Sequence, residues 1–131
     1  MKQLLILTMA ILLMLSACGG NTLDAYKGME PKTDIKTYFT GPIKAWGIVQ
    51  DWRGKVVQRF DVSMVGTWEG NEGTLDEDFV YYDGKTQKRI WKITKNADET
   101  YEGRADDIIG VAQGGASGNA INWHYSMEVP V

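Results

Sequence analysis

Cysteine occurs once in this chain of 131 residues, at Cys18, and histidine once, at His124. A lone cysteine closes no internal disulfide, so the fold is not a stapled framework. With one histidine no zinc-ligand spacing can be assembled, and neither a Ser-His-Asp triad nor a Gly-x-Ser-x-Gly elbow is in place. Alternation puts His124 on a polar strand face, the setting of a solvated surface histidine. Charge of one sign is also lacking. The 14 Lys+Arg face 17 Asp+Glu without a basic arm or patch, which argues against nucleic acid as a partner. The acidic run Glu72 to Asp78 lacks the spacing of a calcium loop and alternates along a strand face. Gly110 to Gly118 has no Walker lysine and no following helix, and reads as a β-turn, not a phosphate cradle. These shortages leave no metal, no cofactor and no enzyme among the expectations.

Glycine and aromatics are what the chain has, with 15 Gly, 5 Trp and 6 Tyr against only 3 Pro. Glycine at turns with aromatics between them reads as β structure, because disordered chains are poor in aromatics. The length suits one domain with a modest core.

The N-terminus has its own logic. Met1-Lys2 is a positive n-region, and Leu4 to Leu15 is an apolar run interrupted only by Thr8. About a dozen residues fall short of the roughly 20 that span a bilayer as a helix. They fit the h-region of a secretory signal. Leu15-Ser16-Ala17-Cys18 then resembles the lipobox of bacterial lipoproteins. The resemblance implies a diacylglyceryl group on the Cys18 thiol, cleavage before Cys18, and small residues at Ser16 and Ala17 to fit the peptidase. Two or three acyl chains anchor firmly where one is marginal. An ordinary signal peptide that happens to contain cysteine is the alternative. Gly19, where an aspartate would retain the protein at the inner membrane, points to the outer membrane, facing the periplasm. The expected organisation is a signal peptide over 1–17, a tether over 18–33 and a β-barrel domain over 34–131.

Gly19 to Thr33 has no helix or strand periodicity. Asp34 is placed to cap a short helical turn through Tyr38 and Phe39, stopped by Gly41-Pro42, which would plug one end of a sheet. From Ile43 onward, period-two runs lie between turn signals. The runs are Ile43 to Gln50, Val56 to Met64, Thr74 to Tyr82, Thr86 to Thr94, Thr100 to Ala105, Ile109 to Gln113 and Ile121 to Val129. Gly70 to Gly73 and Gly114 to Gly118 read as turns. About seven short strands without a crossover predict an all-β antiparallel meander.

The hairpin at Asp83-Gly84 allows a finer expectation. A three-residue loop, Asp83 to Lys85, groups Leu75, Glu77, Phe79 and Tyr81 with Arg89, Trp91 and Ile93 on one face. It puts Asp76 and Asp78 near Lys88 and Lys92 on the other. A two-residue loop would mix charged and apolar groups, so the three-residue loop is expected. Glu77 and Arg89 then become neighbours on the inner face, among aromatics.

At these residues the sequence resembles a family of proteobacterial lipoproteins catalogued as domain of unknown function 3833. The resemblance runs from about Phe39 onward. It rests on Phe39-x-Gly41, Ala45-Trp46-Gly47, Gln50-Asp51, Gly73-Thr74-Leu75, Glu77-Asp78-Phe79, Asp83-Gly84, Arg89-x-Trp91, Ala105-Asp106 and Gly118-Asn119-Ala120-x-Asn122-Trp123-x-Tyr125. It implies a lipidated periplasmic protein with a lipocalin-like (calycin) up-and-down barrel. The family pattern continues for further strands past Pro130-Val131, so the expected barrel is open or incomplete and leaves an edge exposed.

Trp46, Trp68, Trp91, Trp123 and Tyr125 are either core packing or the lining of an apolar cavity with Glu77 and Arg89 as its polar anchors. Buried charge must be paired, so that pair also fits a structural role. The leading expectation is a membrane-anchored lipoprotein that holds a lipid or other hydrophobic small molecule. The alternative is an envelope structural or protein-interaction lipoprotein with a solid core and no ligand.

Overall fold

The computed structural model describes residues 22–128, which form a single sheet of seven strands. The strands are β1 (Gly41–Gln50), β2 (Val56–Glu69), β3 (Glu72–Tyr81), β4 (Thr86–Lys95), β5 (Thr100–Arg104), β6 (Ile108–Ser117) and β7 (Ala120–Met127). Each pairs antiparallel with the next, so spatial order is chain order. The fold is the all-β meander expected, curled into a half-barrel. Among the described residues no ladder joins β7 back to β1, so the lipocalin-like barrel is open. The expected signal helix, Leu15, Ser16, Ala17, Cys18 and Gly19 lie outside the described residues. Among the described residues no helix is long and apolar enough to cross a membrane.

Alternation decides which face curls inward. On β2, Val62 and Met64 are buried while Asp61, Ser63 and Val65 are exposed; on β3, Leu75, Glu77 and Phe79 are buried. With Trp91, Ile93 and Tyr101 from the next strands they form the core of the concave face. Each such apolar side chain contributes about 1.5–3 kcal/mol on burial.

The β3–β4 hairpin bears out the expected faces and shifts the expected loop. Glu77 stands opposite Arg89 and Leu75 opposite Trp91. The loop is Tyr82-Asp83-Gly84, one residue earlier than Asp83 to Lys85, closed by Tyr81 N donating to Lys85 O at 2.9 Å. Gly84 takes φ +89°, the left-handed geometry a three-residue hairpin needs at this point. Outside, Lys88 pairs with Asp76 at 2.7 Å and Asp78 at 3.2 Å, whereas Lys92 donates to Thr74 Oγ1.

Two glycine runs read as turns are narrower turns than expected: the chain reverses at Gly70-Asn71 as read, while the residues beside each turn are strand. Gly114 to Ser117 belong to β6, and the chain reverses at Gly118-Asn119. Gly114 stands opposite Trp123, whose indole lies directly over it. A Cβ on Gly103, one strand away, would sit 2.5 Å from the same ring. These glycines form a trough in which a large indole lies flat on the sheet, an aromatic covering glycine across the ladder. Likewise Glu72 and Gly73 belong to β3, and a Cβ on Gly73 would meet the Trp68 ring at 2.7 Å.

One end of the half-barrel is plugged as expected. Asp34 caps α1 (Ile35–Tyr38), its Oδ2 accepting from Thr37 N at 3.0 Å. Ile35 is buried, and Phe39 O accepts from Trp68 Nε1 at 3.0 Å. Within the segment that showed no periodicity, Leu23–Tyr26 forms a 3₁₀ turn against β6 and β7. Thr33 N donates to Gly118 O at 2.8 Å, and Lys32 pairs with Glu99 at 2.7 Å, so residues 22–33 run along the sheet.

Candidate functional site

The concave face is not filled. A cavity of about 340 Å³ lies over it, a size at the low end of small-molecule sites. Ile35 and Phe39 close the plugged end, Phe60, Val62 and Met64 of β2 form one wall, and Trp91, Trp123 and Tyr125 form the other. Trp91 meets the Trp123 ring edge-on at 5.6 Å and the Tyr125 ring edge-on at 5.4 Å. These T-shaped contacts tie β4 to β7 across the mouth of the open sheet.

Into this apolar space β3 and β4 send Glu77 and Arg89, 7% and 8% exposed. Arg89 is well partnered. Its Nε donates to both oxygens of Asp107 at 3.0 Å and its Nη2 to Asp107 Oδ2 at 2.7 Å, while the guanidinium lies 4.9 Å from the Phe79 ring centre. Gln87 Nε2 donates to Asp107 Oδ2 at 2.9 Å, and Tyr81 OH donates to Gln87 Oε1 at 2.8 Å. Tyr81, Gln87, Asp107 and Arg89 thus form a continuous chain of hydrogen bonds. Glu77 stands at its inner end without joining it. Arg89 Nη1 is 3.7 Å from Glu77 Oε2, an ion pair too long for a hydrogen bond, and Oε2 is buried without any donor.

The electrostatics follow that asymmetry. Burial pushes the Glu77 carboxyl up to about 7, and the charge of Arg89 and a weak polar contact from the Trp91 indole oppose this without overcoming it. Hydrogen bonds from Arg89 hold Asp107 below its ordinary value. Burial works against the charge on Arg89, yet the bonds to Asp107 outweigh it and raise Arg89 above its usual range. The inner face therefore holds two carboxylates around one guanidinium, and the nearer pairing is already taken.

Of the residues singled out in the sequence, Glu77, Arg89, Trp91, Trp123 and Tyr125 line this one cavity. Trp46 does not. It stands opposite Asp61 on the outer face, 70% exposed, because Ile43 and Ala45 take the inward positions of β1. Trp46 and Ile48 share their face of the run Ile43 to Gln50 with Lys44 and Gln50, so alternation did mark that face as the outer one, and the size of the indole outweighed that signal in the sequence reading. Trp68 is half-buried over Gly73 at the plugged end, outside the lining. His124 is exposed opposite Gln113. The residue sequence reasoning missed is Asp107, in the turn before β6. Asp106 and Asp107 are adjacent in a turn, where no period distinguishes the one that points inward. Among the described residues no His/Cys/Asp/Glu group has metal-holding geometry. What the arrangement offers is an apolar berth with one unsatisfied acceptor.

The sequence pattern of a family described as protein of unknown function (DUF3833) matches residues 12–131 of the chain. No curated protein and no solved structure matches it.

Proposed function

The chain belongs to the DUF3833 family, and we propose that it is a binding or carrier protein for a small molecule with a hydrophobic body, held at a bacterial membrane through lipid on Cys18. One observation carries the binding half of this reading. The concave face keeps about 340 Å³ open between aromatic walls, with a polar group set into them. A chain selected only for stability gains by filling such a space, since voids forfeit contact energy. We assign binding, not catalysis, because the sequence offers a single histidine and no Ser-His-Asp triad.

The anchoring half rests on the lipobox-like Leu15-Ser16-Ala17-Cys18. From Cys18 to Thr22 the chain reaches at most about 14 Å. An anchored domain then keeps the Leu23–Tyr26 turn and the neighbouring β6–β7 hairpin close to the bilayer. Gly19 favours the outer membrane, periplasmic side.

Native mass spectrometry of the protein in detergent-free nanodiscs tests the first half. A co-purified ligand, or one taken up on addition, is the expected result; a chain that takes up nothing refutes the carrier reading. Cys18→Ser should release the protein from membranes and remove the acyl mass. A second reading, a protein-interaction lipoprotein, draws on the outer face, where Trp46, Ile48 and Trp52 are exposed along β1 and its turn. Crosslinking from Trp52 in cells separates the two, because a carrier gives no single dominant adduct.

A further inference from the structure

Resting on the carrier reading, we propose that the cavity selects a ligand whose apolar body carries a protonated amine, and discriminates against carboxylates of the same shape. The argument is a count of partners. An anionic head needs a free cation, and Arg89 is the guanidinium that faces the cavity. Its Nε–H and one Nη2–H bond Asp107 at 3.0 and 2.7 Å, and its Nη1 lies 3.7 Å from Glu77, so its charge is already matched by two carboxylates. A carboxylate entering here would bring a third anion to a guanidinium already flanked by Glu77 and Asp107. Like charges brought together in a poorly solvated space repel strongly.

A cationic head meets the opposite conditions. Glu77 Oε2 is buried, with its side chain 10% exposed, and nothing donates to it. A buried acceptor without a donor costs about 1–3 kcal/mol, which an incoming N–H recovers. Aromatic rings surround the space, Phe79 beside Arg89 and then Trp91, Trp123 and Tyr125 along the wall, and a ring face attracts a desolvated cation. The two carboxylates and one guanidinium leave the pocket one positive charge short of neutral, which an ammonium supplies. Burial has already pushed Glu77 up to about 7, and a bound cation relieves that penalty.

Size sets the probes. At liquid water's share of roughly 30 Å³ per heavy atom, about 340 Å³ takes a body of on the order of ten atoms. Three molecules of that size differ only in the head: 3-phenylpropylamine, 3-phenylpropanol and 3-phenylpropionate. Isothermal titration of each into the full chain in nanodiscs at pH 8, with empty nanodiscs subtracted, reads the preference directly. The amine should bind at least about tenfold tighter than the carboxylate, with the alcohol between them. Glu77→Gln should bring the amine down to the level of the alcohol, and Asp107→Asn, by freeing Arg89, should strengthen the carboxylate. The wild-type comparison stands even where a variant fails to fold. A carboxylate that binds as tightly as the amine overturns the inference. Equal binding by all three also overturns it while leaving the carrier reading standing. Binding by none of them sinks both.

Discussion

The half-barrel holds one carboxylate at its plugged end and another midway along its inner face, and the two are treated in opposite ways. At the plugged end Asp34 accepts from Thr37 N at 3.0 Å, Thr37 Oγ1 at 2.8 Å, Lys95 Nζ at 2.6 Å and Tyr101 OH at 2.5 Å. Burial works against its charge, but those hydrogen bonds hold the carboxyl well below the usual range. Glu77 lies deeper, its side chain 10% exposed against 27% for Asp34, and it has one oxygen with no donor at all. The more buried carboxylate is the less satisfied one. The same sheet that gathers four donors around Asp34 leaves Glu77 short, so the deficit belongs to this site and is not a general looseness of the fold. A finished polar cluster makes structure, and an unfinished one in a cavity makes room for something from outside.

The sharpest way to break that contrast is Asp34→Ala. It removes the α1 cap, worth about 1 kcal/mol. It also strands the Tyr101 hydroxyl, on a residue that is 0% exposed, and leaves Lys95 without its partner. Together these should cost about 3 kcal/mol in denaturant unfolding. A loss under about 1 kcal/mol would mean the plugged end is not held by this cluster.

The pH dependence of stability should run in opposite directions for the two groups. Asp34 is depressed on folding, so its contribution is present above the ordinary carboxylate range and is lost as pH falls through and below that range. Glu77 is raised from 4.5 to about 7, so between those values the folded chain binds more protons than the unfolded one. Stability from this group is therefore greatest below pH 4.5 and declines as pH rises through about 7, levelling off above. At 1.36 kcal/mol per unit the whole decline is on the order of 3 kcal/mol. Unfolding of wild type and Glu77→Gln across pH 4.5–8 isolates it. The difference between them should grow toward high pH in favour of Gln, by on the order of 2 kcal/mol. Parallel curves would show that Glu77 is not desolvated as described.

Trp123 spans both halves, since its indole lies over Gly103 and Gly114 and its edge meets Trp91 in the cavity wall. Gly114→Ala puts a methyl into the trough and lifts the indole toward the cavity. A cost of about 1–2 kcal/mol is expected, as for other overpacked sites, together with weaker probe binding. The Asp34 cluster should keep its own pH response. A variant that binds probes as wild type does would detach the trough from the cavity.

Those glycines also mark where the sequence was hardest to read. Strand faces were legible wherever charge alternated with apolar residues, as at Asp76, Asp78 and Lys88 against Leu75, Phe79 and Trp91. That is why Glu77 and Arg89 came out as inner-face neighbours. The hairpin loop was off by one residue because moving a three-residue loop by one place shifts the pairing by two and leaves every face unchanged. Gly73 and Gly114 to Ser117 looked like turns because a strand glycine is recognised only by the ring that covers it, and that ring comes from another strand. Asp107 was invisible for the same reason: it approaches Arg89 only after β5 has folded back along β4, 18 residues along the chain.

The smallest effect is expected where sequence and structure disagree about an aromatic. Trp46 was a natural choice for the cavity, yet its ring is 70% exposed on the convex face. Trp46→Ser should change stability by less than about 0.5 kcal/mol and leave the affinity for 3-phenylpropanol as it is. Neither carboxylate lies on that side of the sheet, so both pH responses should also persist. A clear loss of probe binding would mean that β1 presents its other face to the cavity, and with it that Ala45 does not line the wall. Loss of a crosslinked partner in cells, with probe binding intact, would instead assign the convex face a role of its own. The contrast between the two carboxylates would then describe only the inner half of the molecule.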